Sequence, residues 1–230
     1  ILKRGAKERL LADMQRFRDS RLRYRSLGVP YHRGYLFYGP PGTGKTSLAS
    51  AVAAHFEMCI YALNLSNFND RTLMAAVNDV PANSIILFED IDCVNTGKSR
   101  ADNLGVAGDN RGGEAKEQAS PLQGVTLSGL LNVLDGFGAP DGVVFAMTSN
   151  QVEALDAALL RPGRIDYRLY MDFANQEQKI DLFLRFFPTA THDDAREFAL
   201  AHTGPITMAE FQGLLLQLER SDNTWALAVV

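Results

Sequence analysis

The chain is short of the residues that build metal centres, disulfide frameworks and membrane spans. It has two cysteines, one tryptophan and four histidines in 230 residues. Cys59 and Cys93 lie in apolar, strand-like runs, which predicts small buried hydrophobes in a reducing compartment rather than a disulfide. His32, His55, His192 and His202 show none of the spacings that ligate a metal, which argues against a His/Cys metal centre. No apolar run reaches the length of about 18 residues that a membrane helix needs. Excess positive charge is missing too: the formal net charge is -4, which gives no support to a nucleic-acid footprint. The chain opens at Ile1 with no start methionine or secretory leader, as a fragment would, so any membrane attachment is expected only through a segment outside it.

What the chain does have is glycine in one informative place. Gly39-Pro40-Pro41-Gly42-Thr43-Gly44-Lys45-Thr46 fits the phosphate-loop spacing of Gly, four residues, then Gly-Lys-Ser/Thr. The glycines let the backbone turn its N–H groups inward at phosphate oxygens, where a side chain would collide. Lys45 reaches the β- and γ-phosphates, and the Thr46 hydroxyl suits Mg²⁺. The apolar run 34–38 predicts a buried strand before the loop. The run 46–53 predicts a helix whose positive end faces the anion, and Ser47 continues the cradle into it. A nucleoside triphosphate is the expected ligand.

Elsewhere the pattern alternates strand and helix. Leu10, Leu11, Met14 and Phe17 recur at helical spacing among the arginines of residues 1–33, which predicts a helix with a solvated basic face. Strands are expected over 58–63, 84–88, 143–148 and 167–171, and helices over 72–79, 126–137 and 156–160. Residues 95–123 are rich in glycine and polar residues and poor in large hydrophobes, which predicts a long mobile insertion. From 175 onward the pattern is helical only: 176–187, 193–202 and 207–220. The fold expected is an α/β, doubly wound parallel sheet domain carrying the P-loop over 1–172, followed by a small all-helical second domain over 173–230.

Three further clusters carry chemistry. The third strand ends in Glu89-Asp90, where one carboxylate with Thr46 serves the Mg²⁺ shell and its neighbour orients or deprotonates an attacking water. Asn150 sits at the carboxyl end of another strand, where open α/β sheets bind ligands, and its amide suits the γ-phosphate or the water. Arg161 and Arg164, in Arg161-Pro162-Gly163-Arg164, are candidates for neutralising transition-state charge in a neighbouring copy, an effect worth about 10³–10⁵ in rate.

The loop Gly39–Thr46, the acidic pair Glu89-Asp90 and the stretch Thr148–Asp166 together resemble an AAA ATPase, and the last matches that family's second region of homology nearly residue for residue. The resemblance implies a P-loop NTPase three-layer parallel sheet domain with a helical lid. It also implies a Mg²⁺-dependent ATPase that assembles into a ring, typically a hexamer, with Arg161 and Arg164 pointing into the adjacent subunit's site. Residues 28–36 and 125–136 resemble the branch that includes the mitochondrial chaperones of cytochrome bc complex assembly. That implies a protein substrate, translocated folded, and a place on the matrix face of the mitochondrial inner membrane, or in the cytoplasm if the source is bacterial. The family norm at the acidic strand end is Asp then Glu; the order Glu89 then Asp90 is the one this branch tends to have. An aromatic substrate-gripping loop is not evident, with Phe68 the one candidate and equally suited to the core. The Gly-Ala-Arg signature of family lids is replaced by Gly204-Pro205-Ile206-Thr207, so no lid arginine is assigned. The rival function is a nucleotide-dependent binding or scaffold module with little hydrolysis. A DNA-loading ATPase is disfavoured by the acidic balance.

Overall fold

The computed structural model describes residues 1–98, 124–136 and 138–220. Five parallel strands form one sheet in the order β2-β3-β4-β1-β5. They are β1 His32–Tyr38, β2 Ile60–Leu63, β3 Ile85–Phe88, β4 Val143–Ser149 and β5 Tyr167–Tyr170. Sequence and burial agree on which strands are central. Ile-Ile-Leu-Phe of β3 and all seven residues of β4 are buried, as strands covered on both faces must be. The edge strands β2 and β5 alternate between exposed and half-buried residues.

Alternation along each strand sorts the core into two layers. Leu36, Ile86, Phe88, Phe145 and Met147 face α4 (Asp70–Asn78) and α5 (Leu127–Leu134), which contribute Leu73, Val77, Leu130 and Val133. Tyr35, Phe37, Ile85, Leu87, Val144 and Ala146 face α1 (Ala6–Asp19) and α3 (Lys45–His55). The predicted α1 stripe is the buried one: Leu10, Met14 and Phe17 are each 3% exposed or less. A short helix α2, Arg21–Leu27, is held to the β4 approach by ion pairs from Arg21 and Arg25 to Asp141. After β5 come α6 (Gln176–Phe186), α7 (His192–Ala201) and α8 (Met208–Arg220), packed on their own core of Phe183, Phe198, Phe211 and Leu215.

Four expectations are corrected. Residues 156–160 form turns, not a helix. Continuing a helix there would need an N–H from residue 162 for the Ala158 carbonyl, and Pro162 has none. That carbonyl goes to the Arg164 guanidinium, and the Leu160 carbonyl to Arg168. Cys59 and Cys93 are exposed, not buried, because Cys59 precedes an edge strand and Cys93 lies on a 3₁₀ segment, Ile91–Lys98, beyond the sheet. That segment also covers the first four residues of the expected insertion, and 99–123 lie outside the described residues. Phe68, for which the sequence left a chain-gripping and a core reading open, is half-buried and packs against the first core layer. Helix 126–137 ends at Leu134, and Phe137 lies outside the described residues.

Candidate functional site

The sheet order sets β1 between β4 and β5, with β3 on the far side of β4. The carboxyl ends of β1, β3 and β4 therefore deliver the phosphate loop, Glu89-Asp90 and Asn150 to one rim. The loop is pinned on both sides: the Gly39 amide donates to the Ser149 carbonyl at 3.2 Å, and the Met171 amide donates to the Tyr38 carbonyl at 2.8 Å. Thr43 is buried, with its hydroxyl donating to the Pro40 carbonyl at 2.9 Å.

Lys45 is the centre of the polar network. Its side chain is buried, and its Nζ donates to the Gly39 carbonyl at 2.8 Å, the Pro40 carbonyl at 2.9 Å and Asn150 Oδ1 at 2.7 Å. Burial pushes its pKa below the ordinary lysine value, while Asp90 and Asp92 pull it back up. Asn150 bridges onward: its Nδ2 donates to Asp90 Oδ1 at 3.0 Å. Asp90 is fixed by its own backbone, whose amide donates to Thr148 Oγ1 at 3.0 Å and whose φ of 48° is left-handed. Such a backbone is uncommon outside glycine and collects at functional sites. On the other side, the Thr46 hydroxyl donates to Glu89 Oε1 at 2.8 Å.

The two carboxylates of the acidic pair, both candidates for the Mg²⁺ shell from the sequence, face different partners. Thr46 and Glu89 stand together as oxygen donors, while Asp90 is turned to Asn150. The described residues hold no group of three or more His, Cys, Asp or Glu side chains able to bind a metal unaided. One carboxylate and one hydroxyl fit Mg²⁺, which keeps waters and takes the rest of its shell from phosphate oxygens.

These groups line one end of a cleft of about 890 Å³. Its other walls are the N-terminal segment (Ile1, Leu2, Leu10), the α3 face with His55, and lid residues Met208 and Gln212. Pro41, Gly42, Gly44 and Ser47 lie along it with Lys45 and Thr46. The lid reaches the loop directly, where the Ala209 amide donates to the Gly42 carbonyl at 3.0 Å.

The two arginines part company. Arg164 Nε and Nη2 donate to the two carboxylate oxygens of Asp135 at 2.6 and 2.8 Å, and its Nη1 donates to the Ala158 carbonyl at 2.8 Å. Its partnership holds the Asp135 carboxyl below the ordinary aspartate range. The expectation that Arg164 points into a neighbouring copy is therefore corrected: its guanidinium is committed within its own chain. Arg161 is exposed, and its side chain makes no hydrogen bond or ion pair among the described residues. The loop between them is seated on β1. Asp166 accepts from the Gly34 amide at 3.0 Å and the Gly163 amide at 2.9 Å. A Cβ on Gly34 would lie 1.7 Å from the Arg164 carbonyl oxygen.

Sequence reasoning missed Asp135, whose only local signal is its place in Leu134-Asp135-Gly136 at a helix end. It also missed Asp13 on α1, which is buried and accepts from Arg33 Nε at 2.9 Å, Arg33 Nη2 at 2.8 Å and the Tyr35 hydroxyl at 2.9 Å. Burial, reinforced by Asp13, drives the Tyr35 hydroxyl well above the ordinary tyrosine range. This triad ties α1 to β1, and so braces the strand that carries the loop.

Residues 35–173 match the family described as ATPase family associated with various cellular activities (AAA), and residues 176–227 match the Mitochondrial chaperone BCS1-like, ATPase lid domain. The chain is 37% identical over 221 residues to the Probable mitochondrial chaperone BCS1-A of Dictyostelium discoideum, covering 94% of this chain and 50% of that protein. It is 34% identical over 232 residues to the Mitochondrial chaperone BCS1 of Homo sapiens, covering 99% and 52%. An AAA-ATPase of Arabidopsis thaliana is 39% identical over 173 residues, 74% of this chain and 33% of the relative. The chain thus spans about half the length of the two BCS1 relatives. The loop, the acidic strand end and the helical lid agree with these matches, and the chain belongs to the AAA ATPase family, with a BCS1-like ATPase lid.

Proposed function

We propose that this chain binds ATP with Mg²⁺ at Gly39–Ser47 and hydrolyses it at a seam between adjacent copies of a ring. The energy drives movement or remodelling of a protein substrate. The observation that carries the reading is the continuous hydrogen-bonded line Lys45–Asn150–Asp90 beside the Thr46–Glu89 pair.

Lys45 exchanges its carbonyl partners for the β- and γ-phosphates, and the loop amides share that negative charge. Thr46 and Glu89 hold Mg²⁺, which supplies charge neutralisation at the phosphates when bound. Asp90 orients the water and accepts its proton as oxygen attacks the γ-phosphorus and the bond to the β-phosphate oxygen breaks. Asn150, joined to both Lys45 and Asp90, registers whether the γ-phosphate is present. Arg161 is the group offered to a neighbour, and Arg164 holds the loop that presents it. The likeness to relatives named as mitochondrial chaperones supports a chaperone role. The specific form we infer is folded-protein translocation at the matrix face of the mitochondrial inner membrane. The described residues include no helix long and apolar enough to cross a membrane.

Steady-state phosphate release from the purified chain, with ATP and Mg²⁺, tests the chemistry. Lys45→Ala abolishes nucleotide binding, and Asp90→Asn retains binding while release falls by about 10²-fold or more, the scale of a lost general base. Nucleotide binding by the wild type without phosphate release overturns hydrolysis and leaves a binding module.

A further inference from the structure

The lid touches the phosphate loop through the start of α8, and the stretch leading there is anchored by a buried lysine whose partners are backbone carbonyls. Lys179, on α6, is 3% exposed. Its Nζ donates to the His202 carbonyl at 2.6 Å and the Gly204 carbonyl at 3.4 Å, and it makes no ion pair with a carboxylate among the described residues. Burial lowers its pKa from the ordinary lysine value. An ammonium withdrawn from water for carbonyls alone is costly, and an apolar side chain would fill the same space without that cost. The arrangement calls for a role beyond packing.

The two carbonyls lie at and just beyond the end of α7, where a helix leaves acceptors without intrahelical donors. From there the chain runs through Gly204-Pro205-Ile206-Thr207 into α8. The Ile206 carbonyl accepts from the Ala174 amide at 2.8 Å. Thr207 caps α8, with its hydroxyl accepting from the Glu210 amide at 3.2 Å and Glu210 reaching back to the Thr207 amide at 2.8 Å. The first turn of α8 then meets the loop: the Ala209 amide donates to the Gly42 carbonyl, and Thr207 Oγ1 lies 3.0 Å from where a Cβ on Gly42 would be. Gly42, at φ 77°, lacks the side chain that would otherwise restrain its peptide planes. A donor on its carbonyl selects one orientation of the Gly42–Thr43 peptide, and with it the direction of the Thr43 N–H.

We propose that Lys179 is a positioning residue for the nucleotide: it ties the end of α7 to α6, which holds the first turn of α8 on Gly42 and sets the phosphate-loop amides. This rests on the nucleotide-binding reading above.

The test is titration of the whole chain with a fluorescent ATP analogue in Mg²⁺, alongside thermal unfolding, for Lys179→Met, Lys179→Arg, Ala209→Pro and the Lys179→Met/Ala209→Pro double variant. Proline removes the Ala209 donor yet is tolerated in a helix's first turn. Lys179→Met and Ala209→Pro should each weaken nucleotide binding by about tenfold, the effect of one charge-assisted hydrogen bond or its relay. The double variant should be no weaker than about twofold beyond the poorer single, because both break one pathway. Lys179→Arg should restore binding to within about twofold, since it keeps the donor and the charge. Wild-type affinity in a folded Lys179→Met, or costs that simply add in the double variant, overturns the proposal. If Lys179→Met does not fold, Ala209→Pro decides alone, and unchanged affinity there overturns it. A wild type that binds no nucleotide at all fails the site reading itself, and the proposal with it.

Discussion

Truncating Arg164 to alanine removes two hydrogen bonds to Asp135 and one to the Ala158 carbonyl, and it leaves the Asp135 carboxylate without its cation. Arg164 is 17% exposed and Asp135 33%, so the pair lies between two measured regimes. A fully exposed pair contributes about 0–1 kcal/mol, and breaking a buried one costs about 3–5 kcal/mol. A bidentate pair at this depth should cost about 2 kcal/mol, which for a chain of this size is a fall of roughly 4–8 °C in Tm. Truncating Arg161, which is exposed and makes no side-chain bond among the described residues, should change stability by no more than about 0.5 kcal/mol. Activity should order the two variants differently. Arg161→Ala loses about 10³-fold in hydrolysis at an unchanged Tm, as a lost transition-state cation requires. Its activity should return when it is mixed with Asp90→Asn subunits, since each variant then supplies what the other lacks.

The pH dependence fixes the origin of the Arg164 effect. Asp135 has its pKa lowered from the ordinary 3.8 in the folded chain. Its contribution is therefore complete above 3.8 and is lost as pH falls through the lower folded value. The raised pKa of Arg164 keeps its own contribution present across the working range. The Tm gap between wild type and Arg164→Ala should hold steady from neutral pH down to about 5 and close below 3.8. Thermal unfolding by circular dichroism in dilute protein reads this without interference from assembly. Equal Tm for the wild type and both variants, with equal loss of activity, would refute the division of labour between the two arginines.

Two further outcomes follow from groups that seat the site. Gly34→Ala should cost at least about 3 kcal/mol, the upper end for overpacking, because the new Cβ meets the Arg164 carbonyl on a backbone that is itself hydrogen-bonded to Gly34. Urea unfolding would measure it. Asp13→Ala leaves Arg33 half-buried beside an empty anchor, and should lower Tm by about 10 °C through a loss of roughly 3–5 kcal/mol. Asp13→Asn should recover part of that, because it keeps an acceptor for the Tyr35 hydroxyl.

What was legible in the sequence is what local pattern encodes. Continuous apolar runs marked β3 and β4, and the glycine-lysine spacing marked the loop between β1 and α3. Glu89, Asp90 and Asn150 were legible because each follows directly on a buried strand, so topology carries them to the same rim. Asp135 was not, since its grip on Arg164 joins residues far apart in the chain with no periodicity between them. Asp13 was hidden among charged neighbours on α1, where a solvated face was the ordinary expectation; its burial depends on Arg33 and Tyr35 arriving on a strand from elsewhere. The turn at 156–160 was not legible because its carbonyls are claimed by arginines that lie later in the chain, while Pro162 withholds the N–H a helix would need. The lid's contact with Gly42 is made by a backbone amide, which no side-chain signature announces.

The bent backbone at Asp90 has a consequence for how this site tolerates change. A non-glycine residue at φ 48° stores about 1 kcal/mol or more of strain. The two replacements that release it most readily, glycine and asparagine, are also ones that delete the acid. Variants selected for thermal robustness alone would therefore drift toward losing the carboxylate proposed above to activate water. On that role, robustness and turnover are set against each other by a single torsion.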